Sequence, residues 1–249
     1  MISAVAITYN EEAFIESFIK SLSFATEIII IDSHSTDNTI TIAKSLGAKV
    51  LVKDFVDFSS QKNFAIQQAS NDWVVFFDPD ELVLPGLAKE IEQKISSKNT
   101  EIKAYKVKRN FFFMGKKIKF SGFKNDVVIR VFNKNYCEYN GNLVHETLKV
   151  NGEIGLLKHK CDHHSYKTFD RYNKKLTKYS KLQAKMLYEK NIRPNFFHFF
   201  IRPWYRFFHQ YIIQLGIFDG KEGFILAYLS AFAVFKRYLY LWTMYRKID

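Results

Sequence analysis

The 249-residue sequence contains little cysteine, glycine or proline. Its two cysteines, Cys137 and Cys161, are too few for the disulfide framework of a small secreted scaffold, and they favour a reducing compartment. The chain has 10 glycines and 4 prolines, which excludes collagen-like and low-complexity disordered proteins. The remaining composition, 47% hydrophobic and 25% charged, is sufficient to build a large buried core.

Long apolar runs are also missing. The longest uncharged apolar stretch, residues 223–235, has 13 residues, whereas a membrane-spanning helix needs about 20. The N-terminal sequence MISAVAITYNEE has no basic segment before its paired glutamates and so differs from a secretory signal peptide. We therefore expect a cytoplasmic protein that is at most peripheral on the inner face of the cytoplasmic membrane.

The net charge of +12 is confined to one end of the chain. Residues 1–156 contain 19 basic and 19 acidic side chains, whereas residues 157–249 contain 18 basic and 6 acidic ones. Aromatic residues follow the same bias, because 18 of the 42 lie between Phe196 and Tyr245. This distribution predicts a neutral globular domain over residues 1–160 and a basic, aromatic-rich helical appendage over residues 161–249.

Strand and helix patterns alternate in the first third of the chain. Apolar, β-branched runs and helical spacings follow one another at 3–8, 11–24, 27–31, 39–46, 49–52, 59–69 and 73–77. Such alternation with short connections predicts an α/β fold with a doubly wound, mostly parallel sheet. In that architecture ligands bind at the carboxyl ends of the strands.

The rest of the chain changes from strands to helices. Short strands are predicted at 104–109, 116–120, 127–132 and 147–150, and helices at 168–191, 194–215 and 222–245. The first of these helices is rich in lysine, and the other two are rich in aromatic residues.

Each predicted parallel strand is followed by polar or acidic residues at the same edge of the sheet. After the fourth strand, Asp78 and Asp80 flank Pro79. Clustered carboxylates repel one another unless a cation lies among them. Two carboxylates at this spacing suit a hard divalent ion that takes its other ligands from phosphate oxygens and water. The residues alone therefore predict a metal–diphosphate site.

Three segments, AITYNEE, IIIIDSHSTDNT and QKNFAIQQASNDWVVFFDPDE, carry a family resemblance. Their order and spacing over residues 2–150 resemble the nucleotide-sugar domain of family 2 glycosyltransferases, which have the GT-A fold. The resemblance implies a UDP-sugar donor and a divalent cation, Mn²⁺ or Mg²⁺, held by Asp80 with Asp78. It also implies nucleotide contacts from Thr8, Tyr9, Asn10, Glu11, Asp32, Ser33, Lys62 and Asp78. Ser33 and His34 depart from the Asp and Gly that are common at their positions in the family.

Later segments resemble a narrower group, the bacterial lipopolysaccharide core β-1,4-glucosyltransferases. The segments are Asp126 with 128–132 (VIRVF), 144–146 (VHE), 172–184 and 215–220 (LGIFDG). This resemblance implies an inverting transfer of a hexose, glucose, to a lipopolysaccharide core or related glycolipid acceptor. We assign the general base to Glu146, with Asp126 as second choice and a plain surface acid as the alternative for Glu146. For Arg130, a phosphate contact and a structural ion pair stand as equal interpretations.

Two patterns have more than one interpretation. His159, Cys161 and His163 share one face of a strand, which would suit zinc, but a role for His163 or His164 near the acceptor or diphosphate is favoured. The aromatic stretch at 196–211 fits helix core, an interfacial membrane helix or a nucleic-acid surface.

Three functions compete on the sequence. The favoured one is transfer of a sugar from a UDP-sugar to a glycolipid at the cytoplasmic membrane surface. The first alternative is a sugar transferase that acts on polyprenyl phosphate or another polysaccharide precursor. The second is a basic nucleic-acid-binding protein, which the acidic strand ends disfavour because they would repel the phosphate backbone. We therefore expect no nucleic-acid partner.

Overall fold

The computed structural model of the chain describes residues 1–97, 101–123, 126–140, 147–166 and 168–248. The chain forms two compact units. The first comprises Met1–Arg109 with Asp126–His163, and the second comprises Asn110–Asn125 with His164–Asp249. The predicted functional division at residue 160 remains a prediction.

Eleven strands and seven α-helices lie in the described residues. The first unit opens with β1 (Ile2–Thr8), α1 (Glu12–Ser21), β2 (Glu27–Asp32), α2 (Thr39–Ser45), β3 (Lys49–Val52), α3 (Phe58–Gln67), β4 (Trp73–Phe76), β5 (Glu81–Leu82) and α4 (Pro85–Ser96). Strands then follow, namely β6 (Ile102–Phe113), β7 (Lys116–Ile118), β8 (Val127–Asn133), β9 (Cys137–Tyr139), β10 (Leu148–Val150) and β11 (Glu153–Tyr166). The remainder is helical, with α5 (Phe169–Glu189), a π-helix (Phe197–Ile201), α6 (Arg202–Phe208), a second π-helix (His209–Ile213), a 3₁₀ turn (Gly216–Asp219) and α7 (Lys221–Arg246).

The predicted α/β fold with parallel strands is confirmed. β1 pairs in parallel with β2 and with β4, and β2 pairs in parallel with β3. The sheet continues from β4 through β8, β6 and β11 to β5, and the β4–β8, β8–β6 and β11–β5 ladders in the first unit are antiparallel. Strand order reverses between β1 and β4, which is where sheets of this kind open a crevice for ligands.

Side chains alternate across the sheet and explain the double winding. Ala4 and Ala6 point to the face covered by α1 and α4, where Phe18 is fully buried. Val5 points to the other face, where α3 contributes Ala65 to a second buried cluster. Because both faces are covered, the central strands are almost continuously apolar, as the sequence indicated.

The second unit has its own core. Phe111, Phe113 and Ile118 of the β6–β7 hairpin pack with Tyr172 of α5 and Leu226 of α7. Further along the same two helices, a smaller cluster joins Ala184, Tyr238 and Leu241.

Four sequence-based assignments differ from the structure. Helix α4 and the full length of β11 were not predicted, and the single helix expected at 194–215 is divided into α6 and two π-helices, with Pro203 in the first turn of α6. The strand expected at 116–120 ends at Ile118. It ends there because the Lys119 and Phe120 amides donate to the buried carboxylate of Asp219 instead of continuing a ladder.

Among the described residues, α7 is one helix long and apolar enough to cross a membrane by length and composition. The 13-residue uncharged run in the sequence is shorter than this helix of 26 residues. Charged residues interrupt the apolar run, but the helix continues through them. Core helices of soluble proteins share these properties. In its most apolar window, 39% of the helix is buried inside the protein, where α7 packs against α5 and α6.

Candidate active site

The candidate site lies in the first unit, where β1, β2 and β4 end at one edge of the sheet. Thr8 and Asp32, the last residues of β1 and β2, are register partners. The segment that contains Asp78 and Asp80 follows β4, next to β1. The predicted gathering of these strand ends is therefore what the topology produces.

Asp32 organises the loops at this edge. Thr8 Oγ1 donates to Asp32 Oδ2 (2.8 Å), and the Ser35 amide and hydroxyl donate to the two Asp32 oxygens (2.7 and 2.6 Å). The Asp32 side chain is fully buried. In this arrangement it fixes the turn after β2, while any contact of Asp32 with a nucleotide stays a prediction.

The turn after β1 is held by the turn after β2. The Asn10 amide donates to Ser35 Oγ, and the Thr36 amide donates to Asn10 Oδ1, both at 2.8 Å. Asn10 has a positive φ of 55°, which asparagine tolerates better than most residues. Glu11 donates its amide to Thr39 Oγ1, whereas the Tyr9 side chain is exposed. The exposed ring of Tyr9 is thus placed on a rigid turn.

Helix α3 contributes two buried polar side chains. Gln61 Nε2 donates to Ser33 Oγ (3.0 Å) and to the Lys53 carbonyl (3.1 Å). Lys62 Nζ lies over three aromatic rings, at 5.1 Å from Tyr139, 5.8 Å from Phe76 and 5.9 Å from Phe58. A buried ammonium surrounded by ring faces is a centre of positive charge at the base of this edge.

Two arginines neutralise most of the acids after β4. The buried Glu81 carboxylate accepts from Arg109 Nη1 and from Arg130 Nη2, both at 2.8 Å. Arg130 Nη2 also donates to Asp78, and the Asp78 amide donates to Glu81 Oε2 (3.1 Å). For Arg130, the structural ion pair is therefore the interpretation that the structure shows. The two guanidinium groups therefore supply part of the positive charge that the clustered acids require.

The charges around Asp78 determine its ionisation. Burial raises the pKa of Asp78, but the positive charges of Arg130, Lys62 and Arg109 outweigh burial and lower that pKa to about 2. The same pairing raises the pKa of Arg130 against the opposite effect of its own burial. Asp78 is consequently a permanent anion that is already committed to an arginine.

Asp80 has a different environment. Its Oδ2 lies 3.6 Å from Nε2 of His163, which pairs with Glu81 across the β5–β11 ladder. Both side chains retain some exposure. Among the described residues, no Arg or Lys forms an ion pair with Asp80, and no three His, Cys, Asp or Glu side chains are grouped as a metal site. A carboxylate beside an imidazole suits a divalent cation that takes its remaining ligands from diphosphate and water. The residues present therefore fit the implied metal through Asp80 and His163 better than through Asp78.

The two candidates for the general base differ in what is known of them. Both oxygens of Asp126 accept from Arg109, at 2.9 Å from Nε and 2.7 Å from Nη2. A carboxylate whose two oxygens both accept from one guanidinium is already engaged in a charge-assisted ion pair. Glu146 lies outside the described residues. Its role as base remains a prediction.

The possible zinc ligands have other partners. His159 Nδ1 lies 2.8 Å from Glu90 Oε2. Cys161 is fully buried, and burial raises the pKa of its thiol, so that it stays protonated. Of the three, His163 is the one that lies near Asp80, with its Nε2 3.6 Å from Asp80 Oδ2. The other cysteine, Cys137, is also a buried free thiol.

The contacts made by two residues of the site were not predicted from the sequence. Arg109 bridges Glu81 and Asp126, which lie 28 and 17 positions away. Gln61 connects α3 to Ser33. The available signal for Arg109 was charge balance, because a fully buried glutamate next to an apolar strand requires a cationic partner.

Comparisons with known proteins agree with this geometry. The model of the family described as Glycosyl transferase family 2 matches residues 3–149. The chain is 32% identical to an uncharacterized glycosyltransferase of Rickettsia typhi over 95% of this chain and 85% of that protein. It is 26% identical to the lipopolysaccharide core biosynthesis glycosyltransferase LpsC of Rhizobium meliloti over 95% of this chain and 93% of that protein. Glucosyl-3-phosphoglycerate synthase of Mycobacterium tuberculosis, crystallised with Mn²⁺, UDP and glucosyl-3-phosphoglycerate, is 28% identical over 45% of this chain and 44% of that one, with a TM-score of 0.38. The chain belongs to glycosyl transferase family 2 and has the GT-A fold.

Proposed function

We propose that this glycosyltransferase moves glucose from UDP-glucose to a lipopolysaccharide core or related glycolipid, with inversion at the anomeric carbon. Family membership supports sugar transfer from an activated donor. The similarity to LpsC of Rhizobium meliloti, which extends over 95% of this chain, supports the acceptor class. The sugar and the stereochemistry rest on the motif resemblance.

The observation that carries the proposal is the position of Asp80, in the segment after β4, beside His163 of β11. These residues would hold a divalent cation, Mn²⁺ or Mg²⁺. When bound, such a cation neutralises the charge that develops on the leaving diphosphate. Arg130 and Arg109 hold Asp78 and Glu81 beside that position, so the backbone that presents Asp80 is fixed before the donor binds.

The nucleotide would lie along the turns after β1 and β2. Tyr9 offers an exposed ring for stacking, and Lys62 offers positive charge below the same edge. Thr8, Asn10, Glu11, Asp32 and Ser33 would shape the pocket mainly through the hydrogen bonds that join the two turns. Preformed turns reduce the entropy lost when the donor is ordered.

The acceptor hydroxyl requires a base. We assign that role to Glu146, since the second choice, Asp126, is bound through both oxygens to Arg109. Removal of the proton as the acceptor oxygen attacks C1 from the face opposite the diphosphate gives inversion. Asp126 then acts as a positioning residue through Arg109.

The second unit would hold the protein at the membrane that carries the acceptor. Phe196, Phe200 and Trp204 expose 70%, 60% and 68% of their surface along one helical stripe. Phe207, at the next helical position, packs edge-on against Phe224 of α7 at 5.5 Å. Phe208, which stacks on Trp204, takes its place. Aromatic rings with adjacent basic residues favour binding at an anionic membrane surface.

The test is turnover of a panel of UDP-sugars by the purified chain with Mn²⁺, with and without a glycolipid extract. We expect UDP-glucose to be consumed faster than the other donors, and we expect NMR to show a β-linked product formed from the α-linked donor. A retained α-linkage would contradict inversion. Transfer to polyprenyl phosphate or to a soluble sugar in preference to the glycolipid would contradict the proposed acceptor.

A further inference from the structure

A cavity of ≈ 820 Å³ lies among the helices of the second unit, and no residue of the candidate active site lines it. Its walls come from α5, from the first π-helix with α6, and from α7. Three arginines line it, namely Arg202 and Arg206 of α6 and Arg237 of α7. The cavity is of the size that proteins use for small-molecule ligands.

The positive charge in this cavity has no acidic counterpart. The segments that supply its walls, 171–188, 190–218 and 223–248, contain no Asp or Glu. Among the described residues, no carboxylate lies within ion-pair distance of the three arginines. Arg202 donates instead to the Tyr238 hydroxyl, a neutral acceptor, at 2.6 Å. Three like charges that share a partly enclosed space repel one another unless an anion joins them.

Arg237 shows the same imbalance in detail. Its Nε is buried and has no hydrogen-bond partner among the described residues. Burial lowers the pKa of Arg237, the Tyr238 hydroxyl opposes that effect without cancelling it, and the nearby charges of Arg202 and Arg206 lower the pKa further. A buried donor without an acceptor costs free energy that a bound ligand oxygen would recover.

The remaining walls are those of a site for an amphiphile. Leu176 of α5 and Val234 of α7 supply apolar surface inside the cavity. Phe197, Ile201 and Tyr205 line it as well and are half exposed, at 50%, 46% and 62%. They belong to the same helical segment as the exposed aromatic stripe. A free inorganic ion would fill only a small part of this volume and would leave the apolar walls in water.

We propose that the cavity binds an amphiphile with a phosphate head group, with the phosphate oxygens on Arg202, Arg206 and Arg237 and the apolar tail against Leu176, Val234 and the half-exposed rim. Guanidinium groups match phosphate oxygens with paired, charge-assisted hydrogen bonds. The site would anchor one lipid-type molecule specifically, in addition to the general attraction of the basic surface. This inference concerns the second unit and does not depend on which sugar the first unit transfers.

Calorimetric titration of the full chain with three probes tests the site. The probes are dihexanoylphosphatidic acid below its critical micelle concentration, inorganic phosphate and neutral dihexanoylglycerol. We expect the phosphatidic acid to bind at least about tenfold more tightly than either of the other two, because only it satisfies both parts of the cavity. If inorganic phosphate binds as tightly as the phosphatidic acid, the proposed contact with an apolar tail is wrong. If the neutral lipid binds as tightly, the proposed contact with a phosphate is wrong.

Variants locate the site. Arg237→Gln and Arg206→Gln should each weaken binding of the phosphatidic acid about tenfold. Arg246→Gln, which removes the same charge from the same helix at a residue outside the cavity, should change it less than about twofold. Without ligand, the melting temperature of Arg237→Gln should hold or rise because repulsion is relieved. If that variant does not fold, the exposed Arg206 carries the test alone. Unchanged affinity in Arg206→Gln, or equal losses in all three variants, would refute the assignment.

Discussion

Arg109 donates two hydrogen bonds to Asp126, one from Nε to Oδ2 at 2.9 Å and one from Nη2 to Oδ1 at 2.7 Å. The same guanidinium also reaches the buried Glu81 at 2.8 Å. Arg109 of β6 therefore joins Asp126, the residue before β8, and Glu81, the first residue of β5, into one ionic assembly. The primary role of Asp126 in this arrangement is to maintain the shape of the site, and not to transfer a proton.

Kinetic and stability measurements on variants should distinguish the roles of Glu146 and Asp126. Glu146→Gln should lower kcat about 100-fold or more with little effect on donor binding, as expected for a lost general base. Asp126→Asn should instead destabilise the protein by about 2 kcal/mol, because it removes charged hydrogen bonds from Arg109. Steady-state kinetics and urea unfolding of both variants measure these effects. An active Glu146→Gln beside an inactive, stably folded Asp126→Asn would reverse the assignment.

The acid dependence of stability should report the ion pair of Asp78. Its pKa is lowered to about 2 in the folded protein, so its charged form stabilises the fold above about pH 4, and this contribution disappears as the pH falls toward 2. We expect the stability difference between the wild type and Asp78→Asn to shrink by about 1 kcal/mol from pH 5 to pH 2.5. That magnitude allows for solvent screening of a partly exposed carboxylate.

Urea unfolding at several pH values measures this difference. Glu92→Gln, which changes an exposed acid on α4, is the matched control and should follow the wild type at every pH. Parallel curves for the wild type and Asp78→Asn would show that the pair with Arg130 does not influence folding.

The LGIFDG segment should be structural. A Cβ built on Gly223, in the first turn of α7, would lie 1.9 Å from the carbonyl oxygen of Gly216 in this segment. Gly223→Ala should therefore destabilise the second unit by about 3 kcal/mol, since neither backbone can move away easily. Thermal unfolding provides the measurement. Tyr228→Ala, at an exposed position of the same helix, should cost much less, and equal losses would refute the steric argument.

Membrane binding should depend on the outward rings of the aromatic stripe. We expect the wild type to float with anionic liposomes, to be released partly by high salt and to be released fully by detergent. Phe200→Ser with Trp204→Ser should remove the salt-resistant part while the protein stays folded. Phe207→Ser should lower the melting temperature and leave membrane binding of the folded fraction intact, because its ring packs on Phe224. Equal loss of flotation in both variants would contradict this division.

The sequence could predict the part of the site that depends on local order along the chain. The strands that end at Thr8, Asp32 and Phe76 are buried on both faces and are nearly uniform in their apolar character, so their ends and the polar turns after them are visible directly. Parallel pairing then places those turns together without further information.

The partners of the acids could not be predicted in the same way. The Glu81–Arg109 and Asp78–Arg130 pairs connect residues 28 and 52 positions apart. Nothing in a single sequence distinguishes these arginines from the other basic residues. The packing of Phe207 against Phe224 could not be predicted either. The π-helical turns change the direction in which side chains point relative to an ideal α-helix.

The most direct test of the account is calorimetric binding of UDP with and without Mn²⁺ to the wild type, Asp80→Ala and Glu92→Ala. We predict that Mn²⁺ tightens UDP binding at least about tenfold in the wild type, because Asp80 would hold the cation and the cation would neutralise charge on the diphosphate. Asp80→Ala should lose this effect and keep its melting temperature without metal, and Glu92→Ala should retain the effect. UDP binding that is indifferent to Mn²⁺ in the wild type, or a tenfold effect that survives in Asp80→Ala, would contradict the account.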